Sequence, residues 1–153
     1  MAEGMLRALG GQRFRALSAG IAPADAPDPL ALETLQRMGF AIEGLRSKSW
    51  QALALAHGNA PALDVVITLC EGSAEQARRI LPGAAVNADW PLPDPAMVAG
   101  SNRQRIRAFG QAAAMLRDRI ELLVALPVHK LDAFTLALHL KDIGRENLLD
   151  AMR

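Results

Sequence analysis

The sequence predicts an α/β domain built on a short parallel sheet with helices on its faces. Three stretches carry this reading. Val65-Val66-Ile67-Thr68-Leu69 is apolar and β-branched for most of its length, as expected of a strand buried on both faces. Residues 75–81 can form a crossover helix before Pro82-Gly83 and a second strand over 84–87, and a strand–helix–strand unit of that length implies parallel pairing. Residues 101–123 form the clearest helix, with a single apolar stripe to lay on the sheet.

In chain order, Met1, Met5 and Leu9 recur every fourth residue and define one face of a short helix that has no upstream cap and is terminated by Gly10-Gly11. Phe14, Ala16 and Ala19, followed by Pro23 and Pro27, predict a short strand that exits into a turn-rich loop. Leu32, Leu35 and Met38 mark a second helix, ended by Gly39. Ala84-Ala85-Val86-Asn87 is a weaker strand than 65–69. Ser101-Asn102-Arg103-Gln104 has the capping-box pattern, after which Ile106, Phe109, Ala113, Leu116, Ile120 and Leu123 fall three and four apart. Pro127 stops that helix, and Leu131, Phe134 and Leu138 define another amphipathic segment before Gly144. No internal repeat or low-complexity tract is present.

Composition narrows the function. A chain of 153 residues with 51% hydrophobic content can bury one core and is not a disordered segment. Seventeen basic and sixteen acidic residues leave a formal charge of +1, without the basic face that nucleic-acid binding demands. The most apolar stretch, 120–140, is broken by Pro127, His129, Lys130 and Asp132, so no membrane span is expected. One cysteine cannot form an internal disulfide, and the first twenty residues lack the apolar core of a signal peptide, which together predict a cytoplasmic protein. His57, His129 and His139 show no ligand spacing, so neither a metal nor a cofactor is expected. Arg103, Arg105 and Arg107 alternate around the first turns of a helix and read as a solvated face, and Ser47-Lys48-Ser49 as a solvent-facing turn that starts a helix.

The order of several short motifs resembles the low-molecular-weight phosphotyrosine phosphatase and arsenate reductase family. They are Met1-Ala2-Glu3-Gly4, Ser18-Ala19-Gly20, Asp28-Pro29, Gly44-Leu45-Arg46-Ser47-Lys48-Ser49-Trp50, Val65 to Cys70, and Trp90-Pro91-Leu92-Pro93-Asp94-Pro95-Ala96. The resemblance covers most of the chain. It implies a three-layer α/β domain over 1–126, with 127–153 a C-terminal helical extension packed on it. Thr68-Leu69-Cys70 and the tail from Glu121 are similar to the arsenate reductase branch.

By the same resemblance, Asp94 is the general acid, held in a proline-bracketed loop, and Cys70 is a relay cysteine that accepts oxidation from the nucleophile. The residues alone allow blander readings, an Asp-Pro turn and a small buried thiol. Cys70 does not fit as the nucleophile of its own anion loop: Gln76 stands six residues on where an arginine is needed, and Glu71 and Glu75 repel oxyanions. A third cysteine is also missing near Ala77, so a thioredoxin-type or glutathione-type thiol would have to resolve the relay from outside. In the family a strand and a Cys-x5-Arg loop precede the Met-Ala-Glu-Gly helix. The 153 residues are therefore expected to lack the nucleophile and to be inactive alone, taking arsenate or phosphate only if that loop is supplied. Three explanations are compatible: the flanking strands close up, a partner strand fills the gap, as in a homodimer through exposed strand edges, or the natural chain begins earlier. The last is favoured. The alternative function is a non-catalytic pseudoenzyme acting as a binding or regulatory module.

Overall fold

The computed structural model describes residues 1–56, 62–80 and 86–150. Helix α1 (Ala2–Gly10) buries Met5 completely on the face that Met1, Met5 and Leu9 define. It ends where expected, because Gly11 takes φ 54°, a left-handed backbone that breaks the helix at little steric cost only for glycine. The strand expected over Phe14 to Ala19 does not form. The backbone leaves Phe14 extended, at φ −127° and ψ 131°, but a strand exists only through pairing. The pairing found is a single parallel bridge between Gly20 and Ser49, with Gly20 N–H donating to Lys48 O at 2.9 Å.

Helix α2 (Pro29–Arg37) begins with Asp28 as N-cap, its carboxylate accepting from Leu30 N at 2.8 Å, and proline in the first helical position. Leu35 is its fully buried residue. Helix α3 (Trp50–Ala56) starts at Ser49, whose hydroxyl accepts from Ala52 N at 3.1 Å.

Strands β1 (Val65–Thr68) and β2 (Val86–Asp89) pair in parallel, in register from Val65↔Val86 to Thr68↔Asp89, with helix α4 (Ala74–Ile80) between them. The strand–helix–strand unit is thus present, and its second strand extends to Asp89, two residues beyond the expected 84–87, of which 84 and 85 lie outside the described residues. Val86 and Ala88 point into the core and Asn87 and Asp89 to solvent, an alternation of period two that the apolar reading of 84–87 missed. Residues 81–85 and His57 lie outside the described residues. Of the run 65–69, Val66 is buried and the others are half-buried, so burial on both faces is incomplete.

Helix α5 (Asn102–Ala125) carries the expected capping box, with Gln104 N–H donating to Ser101 Oγ at 3.4 Å and Ser101 N–H to Gln104 Oε1 at 2.8 Å. Phe109, Ala113, Leu116, Ile120 and Leu123 are all buried along one stripe. Helix α6 (Ala133–Asp150) differs from expectation in two ways. Its buried residues are Leu136, Leu140 and Ile143, whereas Phe134 and Leu138 face outward; of the expected stripe, Leu131, ahead of the helix, packs against the core. It also continues through Gly144 rather than stopping before it.

The reason lies in one buried node. Arg119, 1% exposed, donates from Nη1 to Trp90 O at 3.0 Å and Pro91 O at 3.3 Å, and from Nη2 to Gly144 O at 3.1 Å. Trp90 Nε1–H reaches Leu140 O at 2.8 Å. Two side chains thereby join α5, the end of β2 and α6. Burial without a carboxylate partner pulls the Arg119 pKa down, although an arginine remains charged. Gly144 is glycine because the helix backbone lies against β2: a Cβ there would sit 2.6 Å from Asp89 O and 2.7 Å from the Trp90 ring. The inner stripe of α6 joins the same core as Met5, Leu35, Val86 and Leu116.

Two glycine substitutions should move stability in opposite directions. Gly144→Ala is expected to lower it by about 1–3 kcal/mol through overpacking against β2. Gly110→Ala, in α5 with nothing near the added carbon, should raise it by about 0.5–1 kcal/mol. Denaturant midpoints of the two variants check this, and a neutral Gly144→Ala would mean that α6 is not seated as described.

Candidate functional site

Two groups of polar side chains lie at places where an α/β fold gathers chemistry. The first is at the carboxyl ends of the parallel strands. The ladder continues past β1 and β2 through Trp90 N–H to Thr68 O at 2.8 Å and Leu92 N–H to Leu69 O at 3.0 Å, so the two following loops leave the sheet side by side. Cys70 begins one of them. It is free and exposed, in a turn in which its carbonyl accepts from Ser73 N at 3.3 Å and Ser73 Oγ at 2.7 Å. Asp94 stands in the other, exposed, capping the short turn Pro95–Met97 by accepting from Ala96 N at 2.9 Å. Between them, Asp89 accepts from the Thr68 hydroxyl and pairs with Arg78 at 3.4 Å. Below, Arg119 holds the Trp90 and Pro91 carbonyls from which the Asp94 loop starts.

The second group surrounds the first turn of α1. The Glu3 side chain is 4% exposed, and its carboxylate accepts from Ser18 Oγ, from Arg7 Nη2 and from Lys48 Nζ, the last at 3.0 Å. Lys48 also donates to Arg46 O, at 3.4 Å, and Arg7 to Glu43 O, at 3.4 Å. Burial alone pushes the Glu3 carboxyl upward and is the largest single influence. The Ser18 hydroxyl and the Lys48 ammonium, with Arg7, together outweigh it and hold the pKa below its ordinary value. A cavity of about 270 Å³ opens beside this cluster, with Glu3, Ser18, Leu35, Leu45, Ser47 and Lys48 among its walls. The carboxylate sits where the helix dipole is positive and supplies its countercharge from within the chain.

A family model for low molecular weight phosphotyrosine protein phosphatases matches residues 1–132. The chain belongs to that family. No curated protein sequence matches it. The matched stretch takes in α1 to α5 and both strands and stops at Asp132, the residue before α6 begins.

In this member of the phosphatase family, Cys70 and Asp94 come to the same end of the sheet, but among the described residues no hydrogen bond links them. The turn geometry of Asp94 is the one an Asp-Pro sequence adopts without any catalytic demand. Cys70 is exposed, against the bland reading of a buried thiol. Ala77, near the place of a missing third cysteine, is buried on α4. The turn at Ser47-Lys48-Ser49 is not solvent-facing throughout, because Lys48 is needed inside as the countercharge of Glu3. Arg103 and Arg107 are exposed as expected, whereas Arg105 leans toward Asp28 of the α2 cap, at 3.7 Å. Among the described residues no group of three His, Cys, Asp or Glu side chains could hold a metal ion, and no helix is long and apolar enough to cross a membrane.

Sequence reasoning passed over Glu3 and Arg119. Both had a signal. Glu3 is the charged residue of an otherwise small and apolar helix start, and Arg119 interrupts the apolar stripe between Leu116 and Leu123. Neither signal names the partners, which are 15 to 45 residues away for Glu3 with Ser18 and Lys48, and 25 to 29 for Arg119.

Glu3 makes stability depend on acid. A carboxyl whose folded pKa lies below its unfolded value of 4.5 contributes fully above that pH, and the contribution is lost as pH falls through the folded value. Glu3→Gln should cost about 1.5–3 kcal/mol near neutral pH and flatten the decline below pH 4.5. Some slope should remain from Asp132, whose carboxyl is lowered chiefly by the Thr135 backbone N–H and hydroxyl. Urea midpoints of both proteins from pH 7 downward test this, and parallel curves would contradict it.

Proposed function

We propose that these residues form the body of an oxyanion-processing domain that reduces arsenate or hydrolyses phosphate monoesters, with arsenate reduction the favoured reading. The observation that carries it is the emergence of exposed Cys70 and of Asp94 from adjacent strand ends, within a stretch that the family model matches. In the complete family fold, a thiolate in a Cys-x5-Arg loop ahead of α1 attacks the oxyanion from beneath. Asp94 protonates the departing oxygen. For a phosphate ester the phosphocysteine is then hydrolysed. For arsenate the cysteine-bound arsenic(V) is attacked at the sulfur by the Cys70 thiolate: an S–S bond forms, the S–As bond breaks, and its electron pair stays on arsenic, which leaves as arsenite. A thiol of the thioredoxin or glutathione type then reopens the disulfide, since a third cysteine near Ala77 is missing from the sequence.

No Cys-x5-Arg pattern occurs within the 153 residues, because the single cysteine has Gln76 at the sixth position beyond it. The proposal is therefore that this chain turns over neither substrate by itself. The same feature supports the second reading, a binding or regulatory module that retains the fold without the chemistry.

Activity assays separate the two. The chain as given should hydrolyse no p-nitrophenyl phosphate and reduce no arsenate. Extension at its N-terminus with a strand and Cys-x5-Arg loop should create activity. In the extended protein, Asp94→Asn should lower kcat by about 10²–10⁴ on either substrate. Cys70→Ser should abolish arsenate turnover and leave ester hydrolysis intact. An extended protein that folds and remains inactive would favour the binding module.

A further inference from the structure

A groove of about 420 Å³ runs between α6 and the outer side of β2, walled by Asp89, Pro91, Phe134, Leu138, Lys141 and Arg145. The four helical residues recur at intervals of four, three and four, so they form one stripe, opposite the buried Leu136, Leu140 and Ile143. Phe134 is 75% exposed and Leu138 47%. Two large apolar side chains thus stand open at one end of the stripe and two cations at the other.

The charges are the informative part. On α1, α2, α4 and α5 an arginine is matched by a glutamate four residues away: Arg7 with Glu3, Arg37 with Glu33, Arg79 with Glu75 and Arg117 with Glu121. On α6 the residue four from Lys141 is Arg145, a like-charge pair that opposes the helix. Among the described residues neither makes an ion pair with a carboxylate. Asp89, the acid in the groove, is already held by Thr68 and Arg78. The element that carries the stripe lies beyond the stretch matched by the phosphatase family model.

We propose that this groove binds an acidic peptide segment of a partner protein. Its carboxylates meet Lys141 and Arg145 and relieve their repulsion, while a large apolar side chain fills the space between Phe134, Leu138 and Pro91. The concave shape, walled by strand on one side and helix on the other, suits a peptide better than a flat bilayer, which would need the apolar residues to project. The proposal does not depend on which oxyanion the domain processes.

The probe is a short fluorescein-labelled peptide of alternating Glu and Leu with one central Phe, compared by anisotropy with the same peptide carrying Lys in place of Glu. The acidic peptide should bind, more weakly as salt is raised, and the basic one should not. Lys141→Glu combined with Arg145→Glu should weaken binding about tenfold or more, and Phe134→Ser should do likewise. Because these side chains are exposed, the variants should keep wild-type denaturation midpoints, so lost binding cannot be ascribed to lost folding. Equal binding of both peptides, or affinity indifferent to the variants, would overturn the proposal. So would sedimentation of the chain with phosphatidylserine vesicles when neither peptide binds, which would make the stripe a membrane face. A dimer that Phe134→Ser dissociates would instead assign the groove to a second copy.

Discussion

A guanidinium held by three backbone carbonyls is the interaction on which the arrangement of this domain depends. Arg119 belongs to the long helix, Trp90 and Pro91 to the exit of β2, and Gly144 to the last helix. Burying a charge without an opposite charge is unfavourable, and it is tolerated here because the two terminal nitrogens make three hydrogen bonds to carbonyl dipoles. The match is incomplete: Nε is buried without a hydrogen-bond partner. That residual cost is consistent with a group kept for the geometry it imposes, since an apolar side chain could fill the space but could not hold the loop after β2 and the last helix in one register.

The consequence reaches the carboxyl end of the sheet. Trp90 is buried and fixed at both its indole and its carbonyl, so the chain that follows leaves the core from a defined point and carries Asp94 to the side on which Cys70 emerges. A second, independent anchor does the same for the helix start. Glu3 brings together the 18–20 segment and the 46–48 turn, two pieces of chain that otherwise share one β-bridge, and it does so with charge-assisted hydrogen bonds rather than with a ladder. In both places a charged side chain gives order to irregular backbone that apolar packing alone would leave free to slide.

The last helix then has two faces with different tasks. Its inner stripe of Leu136, Leu140 and Ile143 closes the core, and its backbone at Gly144 lies against β2. Its outer stripe adds nothing to the core. The swap between these stripes in the sequence reading has a plain cause: Phe134 and Leu138 are as apolar as Leu136, Leu140 and Ile143, and periodicity alone ranks two such stripes equally. What separates them is the glycine, which allows one side of the helix to approach the strand and not the other.

Sequence by itself determined the parallel strand–helix–strand unit, the capped helix from Ser101, the glycine stop of the first helix and the family, because each rests on a local pattern or on the order of short motifs. Tertiary structure decided what depends on distant partners. The segment 14–19 has a strand's composition and extended backbone but no neighbouring strand to pair with among the described residues. The register of β2 follows from which of Val86, Asn87, Ala88 and Asp89 face the core. Lys48 reads as a surface lysine until Glu3 is seen beside it. Arg119 reads as a flaw in an apolar stripe until three carbonyls converge on it. Patterns repeat within a few residues and are written along the chain, whereas the compensation of a buried charge requires groups that only folding brings within hydrogen-bond distance.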